Sequence, residues 1–253
     1  MTNFRWWRIE MKKWSIRIIA GLLCLIAVVF AGFYIWSEQT YQPSEELHAH
    51  VDKNDFNKED GIITFVPDEP NGTGIVLYPG AKVEPEAYGY YAKKLMSEGY
   101  FVAIPEVLFN FALFESGKAD EIREAHPSIE HWVIGGHSLG GVAAASYAYN
   151  HLQEIEGVIF LASYPSSGSD FSATEMPMLS LYAEKDGLST LEDIEDTRQL
   201  LSNKAVLHEI IGGNHAQFGL YGEQKGDQAA SISGIEQQDE MAAVTLDWLE
   251  GLR

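Results

Sequence analysis

A serine stands inside a G-x-S-x-G pattern in Trp132-Val133-Ile134-Gly135-Gly136-His137-Ser138-Leu139-Gly140-Gly141, between an apolar run and an alanine-rich stretch. Such a serine can act as a nucleophile where a strand ends in a sharp turn and a helix starts at once, because the turn lifts its hydroxyl clear of the backbone. Gly136, Gly140 and Gly141 remove the Cβ atoms that would crowd this turn. The start of the helix would offer the Leu139 N–H to a developing oxyanion.

A serine hydroxyl also needs a base within hydrogen-bond reach, and the base needs an acid to orient it. With this kind of turn the three must follow in the order Ser, acid, His. Only His208 and His215 come after residue 151. His208 lies inside Val206-Leu207-His208-Glu209-Ile210, which reads as a strand, whereas His215 follows that strand in a Gly212-Gly213-Asn214 loop and is the expected base. The acid should follow the preceding apolar run, Met178 to Tyr182, which singles out Asp186, with Glu184 as the nearest competitor. Asp193 and Asp196 are expected as surface charge on the next helix. A second oxyanion donor is sought after an early strand, where Ile75-Val76-Leu77-Tyr78-Pro79-Gly80-Ala81 makes the Ala81 N–H the first choice and Lys82 the second.

Positioning these residues requires a sheet whose strands end side by side, since side chains at the carboxyl ends of neighbouring parallel strands converge on one crevice. Apolar runs at Ile62–Val66, Gly74–Tyr78, Phe101–Ile104, Trp132–Gly135, Val158–Ala162, Met178–Tyr182 and Ala205–Ile211 alternate with amphipathic stretches at Ala87–Ser97, Leu139–Asn150, Leu191–Asn203 and Glu236–Glu250. That alternation predicts an α/β domain, a mostly parallel sheet with helices on both faces, over residues 61–253. Ser189 and Glu192 have capping-box spacing. The short interval Ser163–Glu175 leaves no room for a large lid, and Val107–Phe114 reads equally as an acyl-pocket wall or as core.

The chain has 253 residues, 46% of them hydrophobic, and a formal net charge of −20. The composition supports one sizeable core and excludes a basic footprint for nucleic acid. Of the 17 basic and 37 acidic residues, five (Arg5, Arg8, Lys12, Lys13, Arg17) and one (Glu10) fall before residue 38, leaving 12 and 36 for the remainder. Ile18–Trp36 is a run of uncharged residues that as a helix would span roughly 28 Å, close to a bilayer core of about 30 Å. The basic residues all precede it, which predicts a cytoplasmic N-terminus (1–17), a transmembrane helix (18–36), an acidic stalk (37–60) and an extracytoplasmic domain. Trp6, Trp7 and Trp14 on one side and Tyr34, Trp36 and Tyr41 on the other suit interfacial belts. The alternative is a secreted protein whose signal peptide is cut near Val29-Phe30-Ala31. Cys24, the only cysteine, lies in this run, so no disulfide can form within the chain.

On Tyr78-Pro79-Gly80-Ala81, Gly136-His137-Ser138-Leu139-Gly140-Gly141, Asp186-Gly187-Leu188-Ser189-Thr190 and Gly212-Gly213-Asn214-His215-Ala216-Gln217-Phe218-Gly219, the sequence resembles the α/β-hydrolase superfamily over about residues 61–250. Within it the sequence is similar to bacterial dienelactone-hydrolase-like and esterase-like members. The resemblance implies the α/β-hydrolase fold with Ser138 as nucleophile, Asp186 as acid and His215 as base. The nucleophile is Ser rather than the Cys usual in dienelactone hydrolase, so that enzyme's substrate is not carried over. The expectation is a membrane-anchored serine hydrolase that cleaves a small-molecule carboxylic ester or related acyl bond, with no metal or cofactor. An acyltransferase or peptidase with the same triad, or a non-catalytic binding protein on this fold, are the alternatives.

Overall fold

The structure, a computed structural model, describes residues 3–252; for 3–6, 8–10, 12 and 15 it describes the backbone alone. The chain divides into two units, one ending at Gln39 and the other starting at Thr40. The first is helix α1 (Asn3–Ser37). Its Ile16–Ser37 part is long and apolar enough to cross a membrane, and Leu22, Leu25, Ile26 and Val29 are all exposed on it. By length and composition this segment is a candidate membrane span or signal sequence. The side chains of Arg5, Trp6, Arg8 and Lys12, which carry part of the expected topology and belt, lie outside the described residues.

The second unit runs α2 (Glu45–His48), β1 (Asn57–Glu59), β2 (Ile62–Phe65), β3 (Thr73–Tyr78), α3 (Gly89–Ser97), β4 (Phe101–Pro105), α4 (Lys118–Ala125), β5 (His131–His137), α5 (Leu139–Asn150), β6 (Gly157–Leu161), β7 (Met178–Ala183), α6 (Leu191–Thr197), β8 (Ala205–Ile210) and α7 (Gly234–Glu250). The strands form one sheet in the order β1-β2-β4-β3-β5-β6-β7-β8. At one edge β1 pairs antiparallel with β2 and β2 antiparallel with β4, and every other pairing is parallel. Strands covered on both faces read as continuous apolar runs, and β3, β4 and β6 are buried at every residue.

Side chains alternate between two cores, as a period of two requires. Ile75 and Leu77 of β3 pack with Tyr91 and Leu95 of α3 and Met241 of α7, while Val76 and Tyr78 pack with Ile122 of α4 and Ala144 and Ala148 of α5. The alanines let α5 lie close behind β5, so the backbone that follows β5 is held from both sides.

Three expectations change. Residues 40–60 are folded onto the domain rather than forming a stalk: Tyr41 pairs with Val83, Leu47 and Val51 are core residues, and Phe56 packs on Phe65 with ring centroids 5.5 Å apart. Their irregular spacing leaves no periodic signal, yet each covers apolar surface. Tyr41 therefore belongs to the domain and not to an aromatic belt; its ring lies 5.5 Å from that of Tyr221. The capping box of α6 is Thr190 with Asp193, one residue beyond the expected pair, because Ser189 is committed elsewhere: its N–H donates to Asp186 and its hydroxyl to the Ala162 carbonyl.

Candidate active site

β5 delivers Ser138 at φ 52° and ψ −124°, a left-handed conformation for a non-glycine residue. Strain of this kind costs about 1–3 kcal/mol and persists only where surroundings over-determine it. Here the Ser138 N–H donates to the Leu161 carbonyl of β6 at 3.0 Å, and the Ser138 carbonyl accepts from the Gly141 N–H at 3.0 Å and the Ser163 hydroxyl at 2.6 Å. Leu139 opens α5, where a helix has no acceptor of its own for the N–H.

The turn after β3 lies beside this elbow. The Gly80 N–H donates to the Tyr88 hydroxyl at 2.8 Å, and that hydroxyl lies 2.9 Å from His137 Nδ1. Tyr88 thus ties the turn to the residue before Ser138. The Lys82 N–H is spent on the Asn110 carbonyl at 2.8 Å, whereas no acceptor among the described residues pairs with the Ala81 N–H. Between the two sequence candidates, Ala81 has the uncommitted donor. Of the segment after β4, Val107 and Ala112 are buried, while Leu108, Leu113 and Phe114 are exposed.

Asp186 and His215 leave the ends of β7 and β8 and meet in a buried pair, Oδ2 to Nδ1 at 2.8 Å. The other oxygen of Asp186 accepts from the Leu188 and Ser189 N–H groups at 2.8 and 2.7 Å, so its whole carboxylate is occupied. Hydrogen bonds of this kind fix the orientation of the carboxylate. Glu184 points elsewhere and accepts from the Gly212 N–H at 2.8 Å. His208 lies within β8 and pairs with Glu240 at 2.7 Å, as expected of a strand residue.

The loop carrying His215 is clamped to α7. Gln237 accepts from the Asn214 N–H at 3.0 Å and donates to the Asn214 carbonyl at 2.9 Å, fully buried. The His137 and His215 rings lie 4.6 Å apart, which brings the elbow and the Asp186–His215 pair into one site. Tyr88, His137 and Gln237 carry no signal of these roles in the sequence, since each contact joins residues distant in the chain.

Burial holds His137 well below its ordinary value near 6.5, and the neighbouring His215 adds to this. His137 is therefore neutral beside His215. Below pH 6.5 the unfolded chain binds a proton that the folded chain refuses, so stability falls as pH falls, by up to about 1.4 kcal/mol per pH unit for one such group. His126, also depressed by burial, acts in the same direction. We expect the thermal midpoint to fall from pH 7 to pH 5 and to fall less steeply in His137→Asn; equal slopes in the two proteins would contradict this.

A mostly parallel sheet with a nucleophile-type elbow after β5 and an acid–histidine pair after β7 and β8 defines a class of hydrolytic enzymes. The sequence pattern described as "Alpha/beta hydrolase family" matches residues 74–239, and the chain belongs to that family. Among curated proteins none matches the chain. Similar solved structures include a predicted CIB-like hydrolase from Thermoplasma acidophilum (TM-score 0.58, 16% identity, covering 78% of this chain and 96% of that one). An alpha/beta hydrolase from the metagenome of Mar Chica lagoon sediments is as similar (0.58, 16%, 78% and 98%), and a thermophilic esterase from Thermogutta terrifontis follows closely (0.55, 13%, 78% and 97%). At these identities the likeness is one of fold.

Proposed function

We propose that the chain is a membrane-anchored serine hydrolase acting on carboxylic esters or related acyl compounds. Ser138 is the nucleophile, His215 the base, Asp186 the acid, and the Leu139 and Ala81 N–H groups bind the oxyanion. The observation that carries this reading is the buried Asp186–His215 pair, 2.8 Å apart, whose imidazole lies 4.6 Å, ring centre to ring centre, from that of His137, the residue preceding the strained serine.

The reaction follows from these positions. Ser138 Oγ attacks the ester carbonyl carbon while His215 Nε2 takes the hydroxyl proton. The carbonyl oxygen gains the electron pair and is held by the two amides; losing one such donor costs about 100- to 1000-fold in rate. Collapse breaks the ester C–O bond, and His215 returns the proton to the leaving alkoxide. Water then attacks the acyl-serine by the same proton route and releases the acid. Asp186 stabilises the imidazolium at each stage. The apolar part of the ester meets the exposed Leu108, Leu113 and Phe114, which flank the Asn110 whose carbonyl anchors Lys82. The membrane anchor is α1, with its N-terminus cytoplasmic, a reading supported by the basic residues that precede the apolar run.

A fluorophosphonate probe is expected to label the full chain in detergent once, at Ser138, and ester substrates in a panel of esters, thioesters, lactones and amides are expected to compete with it. Absence of labelling in folded protein would remove the hydrolase reading in favour of a binding protein.

A further inference from the structure

Asp227 lies in the polar segment between His215 and α7, far in sequence from the other acids of the site and outside any recognisable motif. Its carboxylate spans two loops. Oδ1 accepts from the Gly187 N–H at 3.0 Å, and Oδ2 accepts from the Ala216 N–H at 2.9 Å. Gly187 follows Asp186 and Ala216 follows His215, so one side chain joins the peptide units next to both members of the buried pair. Oδ1 also accepts from the Gln228 N–H at 2.9 Å, which fixes the carboxylate in its own loop.

The acid loop also packs closely on the loop that carries Asp227, since a Cβ at Gly187 would lie 2.5 Å from the Gly226 carbonyl oxygen. On the upstream side the acid and base loops are joined by the Lys185 N–H, which donates to the Gly213 carbonyl at 2.9 Å, and by the Glu184 carboxylate, which accepts from the Gly212 N–H at 2.8 Å. Downstream, the Asp227 carboxylate makes the joint. Charge-assisted hydrogen bonds from backbone N–H groups to a carboxylate are stronger than neutral ones, and no neutral side chain of this size offers two acceptor oxygens to two facing donors.

Resting on the triad reading above, we infer that Asp227 is a positioning residue that sets the Asp186–His215 geometry by buckling the acid loop to the base loop. It touches neither substrate nor the reacting atoms. Misplacing a reacting group by about 1 Å can cost 100-fold in rate, so loosening this joint lowers turnover before it lowers stability.

The test compares Asp227→Asn, Asp227→Ala and Asp227→Glu in the full chain in detergent by hydrogen–deuterium exchange and by ester kinetics. Asn keeps the size but turns an N–H₂ toward one of the two donors. In the Asn and Ala variants, exchange in peptides covering 185–190 and 214–219 should accelerate at least several-fold with no change in β5 or β6, the behaviour of a local opening. kcat should fall roughly 10- to 100-fold with KM within about threefold, and Glu should recover part of it. Wild-type exchange in both segments, or fast exchange with unchanged kcat, would overturn the inference. Exchange needs no substrate, so it judges the buckle even if Ser138→Ala proves the triad reading wrong.

Discussion

Ser138→Ala is expected to lower kcat for short p-nitrophenyl esters by roughly a millionfold, the scale seen when the nucleophile of a serine hydrolase is removed. Alanine removes the attacking oxygen and leaves the φ 52° backbone, anchored by Leu161 and Ser163, in place. The thermal midpoint should stay near wild type, because the lost hydroxyl makes no hydrogen bond that holds the fold among those of the described residues. His215→Ala should cost about as much, and Asp186→Asn somewhat less, around 10 000-fold, since the imidazole keeps its position but loses its correct tautomer. Combining Ser138→Ala with His215→Ala should cost no more than either alone, as groups acting in one proton transfer are not additive. Glu184→Gln, a few residues from Asp186 but bonded to the Gly212 N–H, should leave kcat within severalfold of wild type. Pure Ser138→Ala protein that retains the activity would sink the assignment, and a large loss in Glu184→Gln would move the acid.

What could be read from the sequence depends on how locally each feature is encoded. β3, β5, β6 and β7 are buried on both faces, and their apolar runs are legible without any partner in view. α5 starts and stops where its alanine-rich stretch does. β1, by contrast, is the polar run Asn57–Glu59, exposed at every residue and defined only by pairing with β2, so nothing in its own composition marks it. α4 carries just two buried residues, Ala119 and Ile122, among charges. The same division holds in the site. Ser138, Asp186 and His215 each follow an apolar run and obey a fixed order, so they stand out. Tyr88, Gln237 and Asp227 act through backbone N–H groups of distant turns, and no spacing rule connects them. Thr190 displaced Ser189 as a helix cap for a related reason: the sequence offers both hydroxyl residues, and only the demand of Asp186 for the Ser189 N–H decides between them.

Gly140→Ala should be among the most damaging single methyl groups that can be added to this site. Gly140 sits in the first turn of α5, where a Cβ would lie 2.4 Å from the carbonyl oxygens of both Tyr78 and Pro79. Those atoms are backbone at the end of β3, so no side chain can swing aside to relieve the contact. Either α5 withdraws from β3 or the turn carrying Gly80 and Ala81 moves. Overpacking of this kind costs on the order of 1–3 kcal/mol, which for a domain of this size lowers the thermal midpoint by roughly 2 to 12 °C. Activity should fall further than stability does, because the displaced turn holds the Ala81 N–H and the displaced helix holds Leu139 and the serine before it. A donor moved by about 1 Å loses most of its hold on an oxyanion. Gly168→Ala provides the contrast: its Cβ would meet only the Ser166 hydroxyl, at 3.7 Å, and the change should stay within about 0.5 kcal/mol with full activity. A Gly140→Ala protein with wild-type midpoint and turnover would mean that α5 and the β3 turn tolerate a separation that the contacts at 2.4 Å forbid.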